Sequence, residues 1–170
     1  FKEAVKELNR AGVKTHIHTN GDRASELAIE AYEEALLECA NPDLRHTLEH
    51  VQLADKSQFL RMRTLGLTVN VFANHLYYFG DIHWSISIGR ERAKRMDACR
   101  DARAIFDGNF AIHSDAPVTP MAPLFTAWCA VNRQTQNGCI LGRIQQISVK
   151  EALYALSLIH ISEPTRPSQI

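Results

Sequence analysis

The chain has 170 residues, 45% of them apolar and 22% charged, the balance of a soluble globular domain. Nineteen basic and nineteen acidic residues cancel, which leaves no electrostatic case for nucleic acid or an anionic membrane as a partner. No apolar run approaches the roughly 18–20 residues of a membrane span, and the amino end has neither a Met nor a secretory core, so the chain reads as starting inside a longer protein.

Residues 1–10 carry a helical pattern with Val5 and Leu8 on one side, stopped by Gly12. Residues 13–18 read as a strand. Asn20-Gly21-Asp22 turns the chain, and Asp22 is the expected cap of a second helix. On that helix Leu27, Ala28, Ala31, Tyr32, Ala35, Leu36 and Cys39 recur at helical spacing until Asn41-Pro42. Residues 44–51 form the next strand candidate. A helix over 55–65, with Phe59, Leu60 and Met62 inward, ends at Gly66, and residues 67–73 follow as a third strand. Residues 74–87 are aromatic-rich and read as irregular. Two short helices over 89–96 and 100–107 lead through Gly108-Asn109 to a fourth strand at 110–113. Pro117, Pro120 and Pro123 forbid regular structure until a helix over 124–133, and Ser148 caps a last helix over 149–156. Strands alternating with helices predict an α/β chain with a parallel sheet; an antiparallel α+β layout is the alternative. The four cysteines, Cys39, Cys99, Cys129 and Cys139, contain no CxxC pair and are too sparse for a disulfide framework, which points to free thiols in a reduced, cytoplasmic setting.

Functional side chains of parallel α/β folds gather at the carboxyl ends of strands. The first strand ends in Thr15-His16-Ile17-His18, the second in Leu48-Glu49-His50 and the fourth in His113-Ser114-Asp115. Imidazole and carboxylate are the groups that hold zinc or a similar divalent ion. His16 and His18 are two apart and share a side of a strand. His46 and His50 are four apart: on a strand that is roughly 13 Å, too far for one ion, whereas on a helix they would be stacked neighbours resembling a zinc motif, and Thr47 and Val51 do not settle which. His46 and His83 are treated as non-ligands, and Arg133, at a helix end, reads as structural.

The motifs His18-Thr19-Asn20-Gly21-Asp22-Arg23-Ala24, Arg45-His46-Thr47-Leu48-Glu49-His50-Val51-Gln52 and Ser114-Asp115-Ala116-Pro117-Val118 resemble, in order and spacing, motifs of the amidohydrolase superfamily. His75-Leu76-Tyr77-Tyr78-Phe79-Gly80-Asp81 and Ala130-Val131-Asn132-Arg133 agree with it. The branch most similar is amidohydrolase family 3, the formamide deformylase-like group. The resemblance implies the C-terminal half of a metal-dependent (β/α)8 barrel, about strands five to eight, over residues 1–155. A whole barrel takes about 250 residues. It implies a divalent metal, zinc by expectation, held by His18, His50 and Asp115, with Asp115 also moving the proton. It further implies a small-molecule amide-type substrate lined by His75, Tyr77 and Tyr78. Asp22 and Glu49 are candidates to support the ligand imidazoles through their free N–H groups. The His-x-His pair that the family carries on strand one, and the carboxylated lysine many members carry on strand four, have no counterpart here. The isolated chain is therefore expected to be inactive, although its family hydrolyses carbon–nitrogen bonds other than peptide bonds. A non-catalytic metal-binding half-barrel and a related metal-dependent deaminase are the rival readings. Residues 156–166 read as one translated frame of a transposase-type sequencing adaptor, so 156–170 are expected to be non-native, and His160 is given no role.

Overall fold

The computed structural model describes residues 1–161, so most of the adaptor-like tail lies outside the described residues. Four short strands, β1 (His16–Thr19), β2 (Thr47–His50), β3 (Thr68–Val71) and β4 (Ala111–Ile112), form one sheet in the order β1-β2-β3-β4. Every pairing is parallel, which removes the antiparallel alternative. Each strand is added beside its predecessor after a helical crossover, the arrangement of a barrel wall.

Helix α1 (Lys2–Arg10) packs on α2 (Asp22–Glu38). Val5 is buried as expected, but Leu8 is exposed and Asn9 takes the buried place. The Asn9 amide explains the exchange. It donates to the carbonyls of Ala35 (3.0 Å) and Cys39 (2.7 Å), two acceptors at the end of α2. Its Oδ1 lies 3.2 Å from His46 Nε2. Asp22 is the first residue of α2 and not its cap; Gly21 holds that place. On α2 the buried stripe is Ala28, Ile29, Ala31, Tyr32 and Ala35, while Leu27 is exposed.

Helix α3 (Lys56–Thr64) begins with a capping box. Asp55 Oδ1 accepts from the Gln58 amide at 2.9 Å, and Gln58 Oε1 accepts from the Asp55 amide at 3.2 Å. Phe59 and Met62 are buried, whereas Leu60 faces solvent. The segment read as irregular is instead wound into short turns: α4 (His75–Tyr78), α5 (Gly80–Ile82) and a π-helical turn over His83–Ser87. Then come α6 (Arg90–Arg95), α7 (Cys99–Ile105), α8 (Pro123–Asn132) and α9 (Val149–Ile161). Ser148 and Glu151 bond reciprocally at the start of α9, the second capping box. The helix continues beyond residue 156, where the sequence pattern placed its end.

The two faces of the sheet differ. Leu48, Val69, Val71 and Ile112 are buried in the main core beneath α2, α3, α7 and α8, with Tyr32, Phe59, Phe106 and Phe110. On the opposite face the register aligns His16 with Thr47 and Thr68, and His18 with Glu49 and Asn70. Parallel partners share a side, so this face is polar from β1 across to β3, with Ala111 of β4 beside Asn70. No helix among the described residues is long and apolar enough to cross a membrane.

Candidate metal centre

The polar face ends in a cluster of imidazoles. Strict alternation would put His50 on the apolar side with Leu48. His50 and Val51 have φ of 69° and 44°, left-handed values that end the extended conformation at that point. The His50 ring lies edge-on to His18, with centroids 4.5 Å apart, and is stacked on His113 at 5.0 Å. Asp115, on the loop after β4, is left-handed as well, with φ 51°. Potential ligand atoms of His50, His113 and Asp115 all lie within 4.8 Å of one another. His18 stands outside that triad and is exposed, on the β1 edge.

Two buried nitrogens in the cluster, His50 Nδ1 and His113 Nε2, have no hydrogen-bond partner. Buried polar atoms are normally satisfied, and a missing ligand is one physical reason for an exception. The donor set of two imidazoles and a carboxylate suits a borderline divalent ion such as zinc. Burial lowers the pKa of His50, opposed by the nearby Asp115 carboxylate. Burial lowers His113 further, to about 4, with Glu49 opposing. Both rings are therefore neutral at pH 7, the form a metal requires.

The same burial carries a stability cost in acid. Below about 6.5 the unfolded chain takes up a proton at His113 that the folded chain refuses until about 4. Stability of the metal-free chain should therefore fall as pH drops through that window, by about 3 kcal/mol from His113 alone. Urea unfolding at pH 7 and pH 4.5 checks this: the drop should shrink in His113→Asn, and an equal drop in both proteins would contradict it.

Glu49 lies lower on the same face. It meets His16 Nδ1 at 2.7 Å, accepts from Asn70 Nδ2 at 2.8 Å and has Oε2 4.0 Å from His113 Nε2. None of its hydrogen bonds among the described residues reaches His18 or His50. Asp22 is held by Arg92 at 2.6 Å and by the Arg23 amide at 2.9 Å. His75 is buried, with its ring 6.0 Å from that of His50 and its Nδ1 3.2 Å from Asp97 Oδ1. Tyr77 and Tyr78 join Phe125 and Trp128 in a half-buried aromatic group, with Tyr77 5.0 Å from Phe125. His46 has both ring nitrogens engaged, Nδ1 with Thr15 and Nε2 with Asn9, and stacks on Tyr32 at 4.8 Å. His83 Nε2 meets Gln52 Nε2 at 3.0 Å.

Sequence reasoning noted His113 at the end of the fourth strand but left it out of the ligand set. The signal was present: His113 and Asp115 are two apart at a strand end, the spacing noted for His16 and His18. It passed over Asp97, which sits between two short helices with no motif around it and is fully buried.

The Amidohydrolase family model matches residues 1–159. The chain belongs to the amidohydrolase family. It is similar to the N-substituted formamide deformylase of Arthrobacter pascens, 28% identical over 160 residues, covering 91% of this chain and 28% of that protein. It is also similar to Protein LONG AFTER FAR-RED 3 of Arabidopsis thaliana, 28% identical over 127 residues, covering 74% of this chain and 21% of that one. Among solved structures, an uncharacterized metal-dependent hydrolase from Pyrococcus furiosus superposes with a TM-score of 0.71 at 23% identity, covering 91% of this chain and 30% of that chain. Its counterpart from Pyrococcus horikoshii OT3 gives 0.74 at 23% identity, covering 91% and 31%. The chain spans less than a third of each of these proteins. The four-stranded parallel sheet is thus a portion of the amidohydrolase (β/α)8 barrel.

Proposed function

We propose that this amidohydrolase chain contributes the strand-five to strand-eight part of a hydrolytic site for carbon–nitrogen bonds other than peptide bonds, of the amide or formamide type. The observation that carries the reading is the triad of His50, His113 and Asp115, whose ligand atoms lie within 4.8 Å. These residues would hold a divalent metal, with zinc favoured by the nitrogen and oxygen donors. His18, its ring 4.5 Å from His50, stands ready as a further ligand. A bound divalent ion supplies Lewis acidity at a carbonyl and brings the pKa of water down toward about 7.

The protein residues have separate tasks. His50 and His113 stay neutral and present nitrogen lone pairs. Asp115 has a second carboxylate oxygen free for proton work. It takes a proton from the attacking water and returns it to the leaving nitrogen, which must depart as an amine. Glu49 Oε2 stands 4.0 Å from His113 Nε2, close enough to favour positive charge at the centre without holding the ring by a hydrogen bond. His75 and the Tyr77–Tyr78 pair would line the substrate side.

A chimaera tests the assignment. Residues 1–155 replace the matched segment of the Arthrobacter pascens deformylase, which then supplies the rest of the barrel. Amine release from a panel of N-substituted formamides and simple amides should require added metal, and should be lost in Asp115→Asn with the fold retained. A folded, metal-loaded chimaera that hydrolyses none of the panel would overturn the carbon–nitrogen reading.

A further inference from the structure

His75 and Asp97 make a buried imidazole–carboxylate pair beside the metal centre. The Asp97 side chain is fully buried, and its only hydrogen bond among the described residues runs to His75 Nδ1, at 3.2 Å. Its other oxygen, Oδ2, has no partner. The backbone of Asp97 is fixed from three sides. Its amide donates to the Gln52 carbonyl at 2.8 Å, and its own carbonyl accepts from Arg133 Nη1 at 2.7 Å and from the Cys99 amide at 2.8 Å. With φ at 49°, it is a left-handed residue locked in place. Gln52 follows His50 by two residues, so the anchor of Asp97 is the end of the strand that carries His50. The buried Arg133 guanidinium, bonded to the Asp97 backbone carbonyl, puts a cation beside this carboxyl group.

An ionised carboxylate only accepts hydrogen bonds. Facing such an acceptor, His75 Nδ1 is the donor, and in that tautomer Nε2 is the acceptor of the ring. The ring is held in that plane by Phe72, with centroids 4.0 Å apart, and by Phe79 at 5.8 Å. The His75 ring lies 6.0 Å between centroids from that of His50, which brings its acceptor into the neighbourhood of whatever the metal centre takes hold of. An amide that keeps a hydrogen on nitrogen offers the matching donor, and an N,N-disubstituted amide does not.

We propose that Asp97 positions His75 as the hydrogen-bond acceptor for the substrate N–H, so that the site selects amides bearing a hydrogen on nitrogen. The proposal rests on the amide reading above. Asp97 acts through His75 and is a positioning residue.

The test is long-range 1H–15N NMR of histidine rings in the 170-residue chain, with His75 assigned by His75→Gln. In the wild-type chain the Nδ1–H form of His75 should dominate by about tenfold, because a charge-assisted hydrogen bond favours it. In Asp97→Asn, where the carboxamide can donate or accept, the two tautomers should come within about threefold of one another. N-methylformamide should shift the His75 Nε2 resonance, and N,N-dimethylformamide should leave it unmoved. A wild-type His75 in the Nε2–H form, an unchanged tautomer ratio in Asp97→Asn, or equal shifts from the two probes would overturn the proposal. The wild-type measurement decides even where the variant fails to fold. Amine release by the chimaera is read separately, so a working hydrolase with equal probe shifts loses only the role given to His75.

Discussion

Replacing His50 with alanine should weaken Zn2+ binding by more than about 100-fold, measured by competition with a chromophoric chelator at pH 7. Loss of an outer partner of a ligand typically costs 10–100-fold, and His50 is proposed as a direct ligand. Its ring is the centre of the cluster, in contact with His18, His75 and His113. His50→Asn serves as a companion, because asparagine tolerates the left-handed φ of 69° better than alanine. His46→Ala should leave affinity nearly unchanged, since its nitrogens are committed to Thr15 and Asn9. Equal affinities for wild type and both His50 variants would remove His50 from the site.

Replacing Arg133 with alanine should cost about 3–5 kcal/mol of folding stability, the scale for stripping one partner from a buried charged network. Domains of this kind hold only about 5–15 kcal/mol, so the loss is a large share of the total. Arg133 has no exposed surface. Its guanidinium donates to the carbonyls of Leu141 (2.6 Å), Asp97 (2.7 Å) and Met96 (2.7 Å). It thereby fastens the end of α8 to the turn between α6 and α7 and to the strand-like segment at residue 141. The joint is close: a Cβ on Gly142 would stand 1.9 Å from the Lys94 carbonyl oxygen. Truncation strips the Arg133 donor from the buried Leu141 and Met96 carbonyls, leaves the Asp97 carbonyl with the Cys99 amide alone, and removes the cation beside Asp97. Arg133→Lys should recover only part of the loss, because one ammonium cannot span three carbonyls in a planar fork. Urea unfolding at pH 7 reads both variants, and a cost under about 1 kcal/mol for Arg133→Ala would show that the network contributes little.

What the sequence discloses here follows from the range of the interactions. Gly12, Gly66 and the Asp55–Gln58 pair act on their own neighbours, and the elements they bound are close to those expected. Side-chain partnership across elements is another matter. Leu8 looked like core and Asn9 did not, because the acceptors that favour Asn9 lie at Ala35 and Cys39 on another helix. Residues 74–87 looked irregular because their turns are too short to show a helical period. At the site, His50 and Asp115 stood out through motif and strand-end position. His113 shared the strand-end position but was not assigned as a ligand, since its closeness to His50 arises only when β4 has reached β2 across β3. Asp97 was invisible for the same reason, being 22 residues from the imidazole it faces.

X-ray absorption at the zinc edge, on the chain loaded with one equivalent of Zn2+, tests the metal centre most directly. A nitrogen and oxygen shell at about 2.0–2.1 Å is predicted, with imidazole scattering from at least two rings. That scattering should diminish in His50→Ala and again in His113→Asn. A sulfur shell at about 2.3 Å, or imidazole scattering that neither substitution changes, would place the ion elsewhere and contradict the assignment.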